Sequence, residues 1–381
     1  MTAVHKEMSV NHLPVLTWHR LGVNSAALSV PMPGESRALA DDRLQRGITK
    51  EICDGDPEKL LADLAGPIRR EAVIAGKQAA FQAQEFAGGL GPDFDSFMSA
   101  AEVPLTIYRV PAGSKCEAPS FLMRDLSCGA DLAERQLIYA EAGSESTWIL
   151  ADFSGKADQG LCAVSTRVFL EAGAKVRLYK VGLLGSGFLQ LDDTGALLSD
   201  DASFDFVRLL LGGKAIYTGC LAALNGSGSD FYGETAFLGA GSQHVDINDV
   251  AVQRGRRTRS KMLVKGVLRD RAEKIHRGTI DFRRGSAGSA GDEQEDILLL
   301  NDDVINRSVP IVLCEEEDVD GRHGATIGNL APEVLFYLTS RGISPEEARK
   351  MLVRARLMGT ASGIPDAEIR ARISDYIMEA F

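Results

Sequence analysis

The chain is poor in the features that mark several common protein classes. Its 381 residues include six cysteines, Cys53, Cys116, Cys128, Cys162, Cys220 and Cys314, and no two lie within three residues of each other. That spacing excludes a CxxC redox motif and a local metal knuckle. No apolar run approaches the roughly 20 residues of a helical membrane span. Residues 1–20 scatter His, Glu, Asn and Pro and lack the apolar stretch of a signal peptide. A soluble, cytoplasmic protein without a disulfide framework is expected. Positive charge is also short. Lys and Arg number 42 against 53 Asp and Glu, a net charge of −11, which disfavours nucleic acid or an anionic membrane as a partner. Leu211-Gly212-Gly213-Lys214 lacks the first P-loop glycine and is followed by Ala215. The glycines at 182–187 and 226–228 do not have dinucleotide-fingerprint spacing. No bound nucleotide is expected, and HExxH and nucleophile-elbow motifs are missing.

What is present is glycine, 39 residues of it, concentrated between Gly155 and Gly328. This argues for many tight turns in one region. Residues 1 to about 55 show no clear period. Pro31-Met32-Pro33-Gly34 interrupts any regular element there, and Trp18 reads as an anchoring aromatic. Asp56-Pro57 supplies an N-cap and N1 proline, and Pro67 opens a second helix, so a helical arm is predicted over 56–87 and a linker over 88–102. From Val103 the period changes. Short β-branched and aromatic runs begin at Leu105, Ser146, Thr166, Lys175, Phe188, Phe204, Lys214, Val245 and Lys261, most of them closed by Gly, Asp or Asn. Strands in series without intervening helices fit a sandwich, a barrel or a β-solenoid. No strict repeat is visible, so periodicity leaves a sandwich and a β-helix about even.

The segment 321–328 marks a change of character, strand-rich before and helical after. Pro332–Ser340 is a predicted helix stopped by Gly342. Ser344-Pro345-Glu346-Glu347 is a capping box opening a second, and Pro365-Asp366 starts a third with Ile369, Ile373 and Ile377 on one face. The division that follows is an N-terminal region over 1–102, a β-rich core over 103–328 and a helical region over 329–381. Among chemistry-bearing residues, His323 stands out beside Gly321 and Gly324, where backbone permits close approach. Cys220 and Cys314 read as small buried strand residues. Glu315-Glu316-Glu317-Asp318 with Asp320 reads as a solvated turn. Arg254, Arg256, Arg257 and Arg259 read as an exposed strand edge guarded by charge.

Two of these stretches carry a family resemblance. HGATIG over 323–328 followed by LFYLTSRGI over 335–343 resembles the C-terminal signature of the SufB/SufD family, the SufD branch in particular. Looser matches are Ala174-Lys175-Val176, Gln243-His244-Val245-Asp246 and Lys265-Gly266-Val267-Leu268. The resemblance implies a mainly β protein: a right-handed parallel β-helix flanked by N-terminal and C-terminal α-helical regions. It also implies a non-enzymatic scaffold of the SUF iron–sulfur cluster assembly system. Such a chain would pair with a SufB-type subunit, share a transient iron–sulfur cluster with it, and bind a SufC-type ABC ATPase through Phe336, Tyr337, Arg341 and Gly342. Flavin is associated with the same machine.

His323 matches the histidine of the branch's C-S-H-G-A-T-x-G motif, implicated in cluster assembly at the subunit interface. Gly321 replaces that motif's cysteine and Arg322 its serine, an arginine expected to favour the neutral imidazole. Gln253 stands at the histidine of an H-x-x-x-x-T-x-S segment that retains Thr258 and Ser260. Two metal ligands are therefore missing, which fits a subunit completing a site supplied mostly by another chain, or a divergent paralogue. A homodimeric SufB/SufD-like scaffold is the nearest alternative. A solenoid enzyme acting on polysaccharide, with Asp246 and Asp249 as its carboxylates, is the alternative of another class.

Overall fold

The computed structural model describes residues 5–380 except 18–20, 35–37, 54–58, 61–85, Cys128 and Ala157. Trp18 and almost all of the predicted arm over 56–87 lie outside the described residues.

Before Val103 the described chain begins with an antiparallel pair, β1 (His5–Val10) and β2 (Ala26–Pro31). The apolar runs after Val103 all fall in strands, most of them longer than the sequence pattern indicates. The strands stack into two nine-stranded sheets. The first holds β3 (Leu39–Arg43), β6 (Ser120–Asp125), β8 (Glu145–Phe153), β10 (Lys175–Leu184), β12 (Ser203–Gly212), β14 (Asp230–Gly239), β16 (Arg259–Leu268), β18 (Ser289–Leu299) and β20 (Val319–Asn329). The second holds β4 (Thr49–Ile52), β5 (Leu105–Val110), β7 (Leu132–Ala140), β9 (Gln159–Leu170), β11 (Gly187–Leu198), β13 (Ala215–Leu224), β15 (His244–Gln253), β17 (Glu273–Phe282) and β19 (Ile305–Cys314). From β5 on, every lateral neighbour is parallel. Successive strands alternate between the sheets, so the chain coils as a β-solenoid of about eight turns. At the start, β3 and β4 close the two sheets antiparallel.

One turn takes roughly thirty residues. Leu189 lies beside Ala215, 26 positions on, and Glu273 beside Ile305, 32 positions on. The repeat shows most clearly at one corner. Gly113, Gly143, Gly173, Asp201, Gly228, Arg257 and Gly288 all have positive φ. The backbone N–H of each donates to the matching turn of the next coil, as Gly143 does to Ala172 and Gly173 to Asp200. Two of the seven are not glycine, which hides the period from inspection. Arg254, Arg256 and Arg257 belong to this corner and Arg259 opens β16. They are a turn, not the strand edge expected from the sequence.

The interior is banded. Along β12, Phe204 and Phe206 join an apolar core with Trp148, Phe231 and Phe282, and Leu210 joins a second. Between them runs a charged file. The Lys180 ammonium lies 2.5 Å from Asp192, and the Arg208 guanidinium lies 2.5 Å from Asp249 and 2.9 Å from Thr218. Buried charges persist only when paired in this way.

Both outer faces are covered. The expected linker at 88–102 contains a helix, α1 (Pro92–Ala100), with proline in its first turn and Phe94, Phe97 and Met98 buried. It packs with β1 and β2 against the second sheet. Asn11 donates to Asp246, Asn248 to Gly89, and Arg277 to Val23, clamping this strap to β15 and β17. The first sheet is covered by α3 (Pro345–Ala361) and α4 (Ala367–Glu379), whose Val353, Leu357, Ile369, Ile373 and Ile377 are buried against it. Thr360 donates to Glu234 at 2.6 Å and Tyr179 to Gly363 at 2.6 Å. Among the described helices α1–α4, α2 (Pro332–Ser340) alone buries none of its residues. Among the described residues no helix is long and apolar enough to cross a membrane.

Candidate functional site

HGATIG lies inside β20, the last strand of the first sheet, and the helices begin only at Pro332. The glycines are tolerated because β20 is an edge strand with no described neighbour beyond it. Strand geometry sends adjacent side chains to opposite faces. Arg322 therefore points away from the His323 ring and pairs with Asp320 at 2.6 Å.

His323 sits at the mouth of the solenoid with its side chain 29 % exposed. Met262, Glu293 and His323 occupy one rung in register. The ring Nδ1 is 3.6 Å from Glu293 Oε2, and the Glu293 side chain is only 1 % exposed. Behind it, His276 Nδ1 lies 3.7 Å from Glu293 Oε1 and 3.7 Å from Glu295 Oε2, and His276 Nε2 lies 3.8 Å from Asp249 Oδ2. The ammonium of Lys274 bonds Glu295. The charged file of the interior thus ends at His323. Burial pushes the Glu293 carboxyl up from its ordinary range, against the pull of the two imidazoles. Burial would also raise Glu295, but His276 and Lys274 outweigh it and hold that carboxyl down at about 2.

The other sequence candidates fall one rung away or elsewhere. Ser260, Gly291 and Gly321 form the rung beside that of His323. Gln253 donates to Ser260 at 2.8 Å and accepts from Thr258 at 2.7 Å, a closed hydrogen-bonded set in place of a ligand. A Cβ on Gly321 would meet the Phe282 side chain at 3.1 Å and that of Val312 at 3.2 Å, so a larger residue there asks these neighbours to shift by a few tenths of an ångström. Cys220 is buried as expected, whereas Cys314 is exposed, at the end of edge strand β19. The acidic run is a largely exposed turn, with Glu315 paired to Arg283 at 3.2 Å. Asp246 and Asp249 lie three residues apart on β15 and so face opposite sides. One is bound by Arg277 and Asn11 under the strap, the other by Arg208 inside the coil. They cannot act on one bond, which removes the carboxylate pair named for a polysaccharide-acting enzyme. Phe336 and Tyr337 are 74 % and 56 % exposed, and the Arg341 guanidinium lies 4.9 Å from the Tyr337 ring.

Glu293, Glu295 and His276 were not legible as site residues. Asp292-Glu293-Gln294-Glu295 reads as a solvated charged run, and only the strand register turns Glu293 and Glu295 inward. Among the described residues no three His, Cys, Asp or Glu side chains form a ready metal site.

Fold and site together define a β-solenoid whose last coil sets His323 over a file of buried charged side chains. The family description "SUF system FeS cluster assembly, SufBD core domain" matches residues 124–356, more than half of the chain. The chain therefore belongs to the SufBD family of the SUF iron–sulfur cluster assembly system. It is similar to the iron–sulfur cluster assembly protein SufD of Bacillus subtilis (strain 168), 27 % identical over 152 residues that cover 39 % of this chain and 35 % of that protein. A SufBD family protein of Mycobacterium leprae (strain TN) is 29 % identical over 239 residues, 61 % of this chain and 27 % of the relative. One of Methanothermobacter thermautotrophicus (strain Winter) is 26 % identical over 235 residues, 60 % and 56 % respectively. The chain thus matches between about a quarter and just over half the length of these relatives.

Proposed function

We propose that the chain is a SufD-like scaffold subunit of the SUF machine, cytoplasmic and not itself an enzyme, with the right-handed coil and helical flanks of its family. In this reading it pairs through the open end of its solenoid with a SufB-type subunit. His323 completes a nascent iron–sulfur cluster held mainly by that partner, the cluster being cargo. The observation that carries the reading is the last coil. Val312 stacks over buried Ile280 and Ile327 over buried Ile297, yet Val312 and Ile327 are 44 % and 43 % exposed. These are interior positions with nothing described above them, on two edge strands whose unpaired backbone groups invite another sheet. A SufC-type ABC ATPase would dock on α2, because α3 and α4 have their apolar faces against the first sheet.

The test is co-expression of the full chain with SufB-type and SufC-type subunits from the same genome, followed by affinity capture. Truncation after Leu330 would strip α3 and α4 from the sheet they cover, so point substitution is the cleaner probe. Capture of the ATPase that is lost in Phe336→Ser/Tyr337→Ser supports the reading. Capture of neither subunit by the wild-type chain refutes it, and self-association at the same end would instead favour the homodimeric scaffold.

A further inference from the structure

Reading His323 as a donor at the open end leaves its neighbour to be accounted for. Glu293 is a buried carboxylate whose Oε2 faces His323 and has no hydrogen-bond partner. The other two carboxylates of the cluster are matched by bonded cations, Asp249 by Arg208 and Glu295 by Lys274. Glu293 has only the two imidazoles. Its 3.6 Å approach to His323 is too long for a hydrogen bond. It is the spacing of two donors on one divalent cation, which at about 2.0–2.2 Å from each leaves them roughly 3–4 Å apart. Space for the carboxylate is made by Gly278, where a Cβ would come 2.0 Å from Glu293 Oε1.

We propose that Glu293 is the second donor of this chain's half-site, so that a divalent cation is held between His323 Nδ1 and Glu293 Oε2. The proposal rests on the reading of His323 as a donor. One imidazole and one carboxylate suit a borderline dication such as iron(II). The remaining ligands come from water or the docked partner, since no third converging group is found among the described residues. His276 lies behind Glu293 Oε1 at 3.7 Å, on the side away from His323, and acts on the carboxylate only through charge.

The test is a cobalt(II) titration of the full-length chain, followed by visible absorption and calorimetry, on wild type, His323→Ala, Glu293→Gln and Gly278→Ala. Circular dichroism melts check that each variant is folded. Loss of either donor is expected to weaken binding by about tenfold or more, with the double variant little worse than either single one. Gly278→Ala retains both donors but displaces the carboxylate and is expected to weaken binding too, which guards against a folding defect in Glu293→Gln. Wild-type affinity in Glu293→Gln and Gly278→Ala with loss in His323→Ala overturns the paired site and leaves His323 as a lone donor. Binding indifferent to His323→Ala overturns both readings. Absence of binding to the wild-type chain at millimolar cobalt overturns the paired site.

Discussion

At the scale of single residues, the interior file carries a pH-dependent stability that no surface group would show. Asp152 lies inside the coil, beside a cavity of about 20 Å³ lined also by Glu134, Lys180, Gln190 and Asp192, enough for one water. The Cys162 thiol approaches Asp152 at 3.8 Å, and burial keeps that thiol protonated. Burial, reinforced by the carboxylates of Glu134 and Asp192, raises Asp152 to about 7. An unfolded aspartate ionises near pH 4. Between that pH and about 7 the folded chain holds a proton that the unfolded chain has released, so stability falls as pH rises through this window and levels off above it. Asp152→Asn removes the dependence. Its melting temperature is expected to match wild type at pH 4 and to exceed it by several degrees at pH 8, read by circular dichroism across the range. Equal melting temperatures at both pH values would refute the buried-acid account. Asp152 was not legible as special, since Ala151-Asp152-Phe153 reads as the end of any strand.

At the scale of elements, helix period proved a good guide for the C-terminal helices. Ile369, Ile373 and Ile377 share one face as their spacing required, and all three are buried on the first sheet. Ile373→Ala is expected to destabilise the fold by ~2–5 kcal/mol, the usual cost of a truncated core isoleucine, measurable by urea unfolding. Phe336→Ser and Tyr337→Ser touch exposed residues, and each is expected to change stability by no more than about 0.5 kcal/mol. Any loss of ATPase capture in these variants then reports on docking and not on folding. Residues 92–100 were misread as a linker because Gly88, Gly89 and Gly91 drew attention from Phe94, Phe97 and Met98. A nine-residue helix has little period of its own, and this one persists by burying those side chains.

At the scale of the whole molecule, the two ends of the solenoid differ. One is closed by the antiparallel strands β3 and β4. The other exposes Val312 and Ile327 on β19 and β20. Val312→Lys/Ile327→Lys places charge on both edges and is expected to abolish association at this end, whether with a SufB-type subunit or a second copy. Light scattering and affinity capture would show the loss while far-ultraviolet circular dichroism stays unchanged. Association that survives the pair of lysines would place the interface elsewhere.

What the sequence determined by itself is local or compositional: short strands closed by turns, capped helices near the C-terminus, acidic charge, and the HGATIG signature with His323 in it. Each depends on residues a few positions apart, where turn chemistry and side-chain period act. What only the tertiary structure decided depends on positions 21 to 41 residues apart. Stacking in a parallel coil brings Glu293 beneath His323 and carries Glu295 to Lys274 and Asp249 to Arg208. Those contacts follow from register, a property of neighbouring coils, and a charged run such as Asp292-Glu293-Gln294-Glu295 has no local mark that says which of its members face inward.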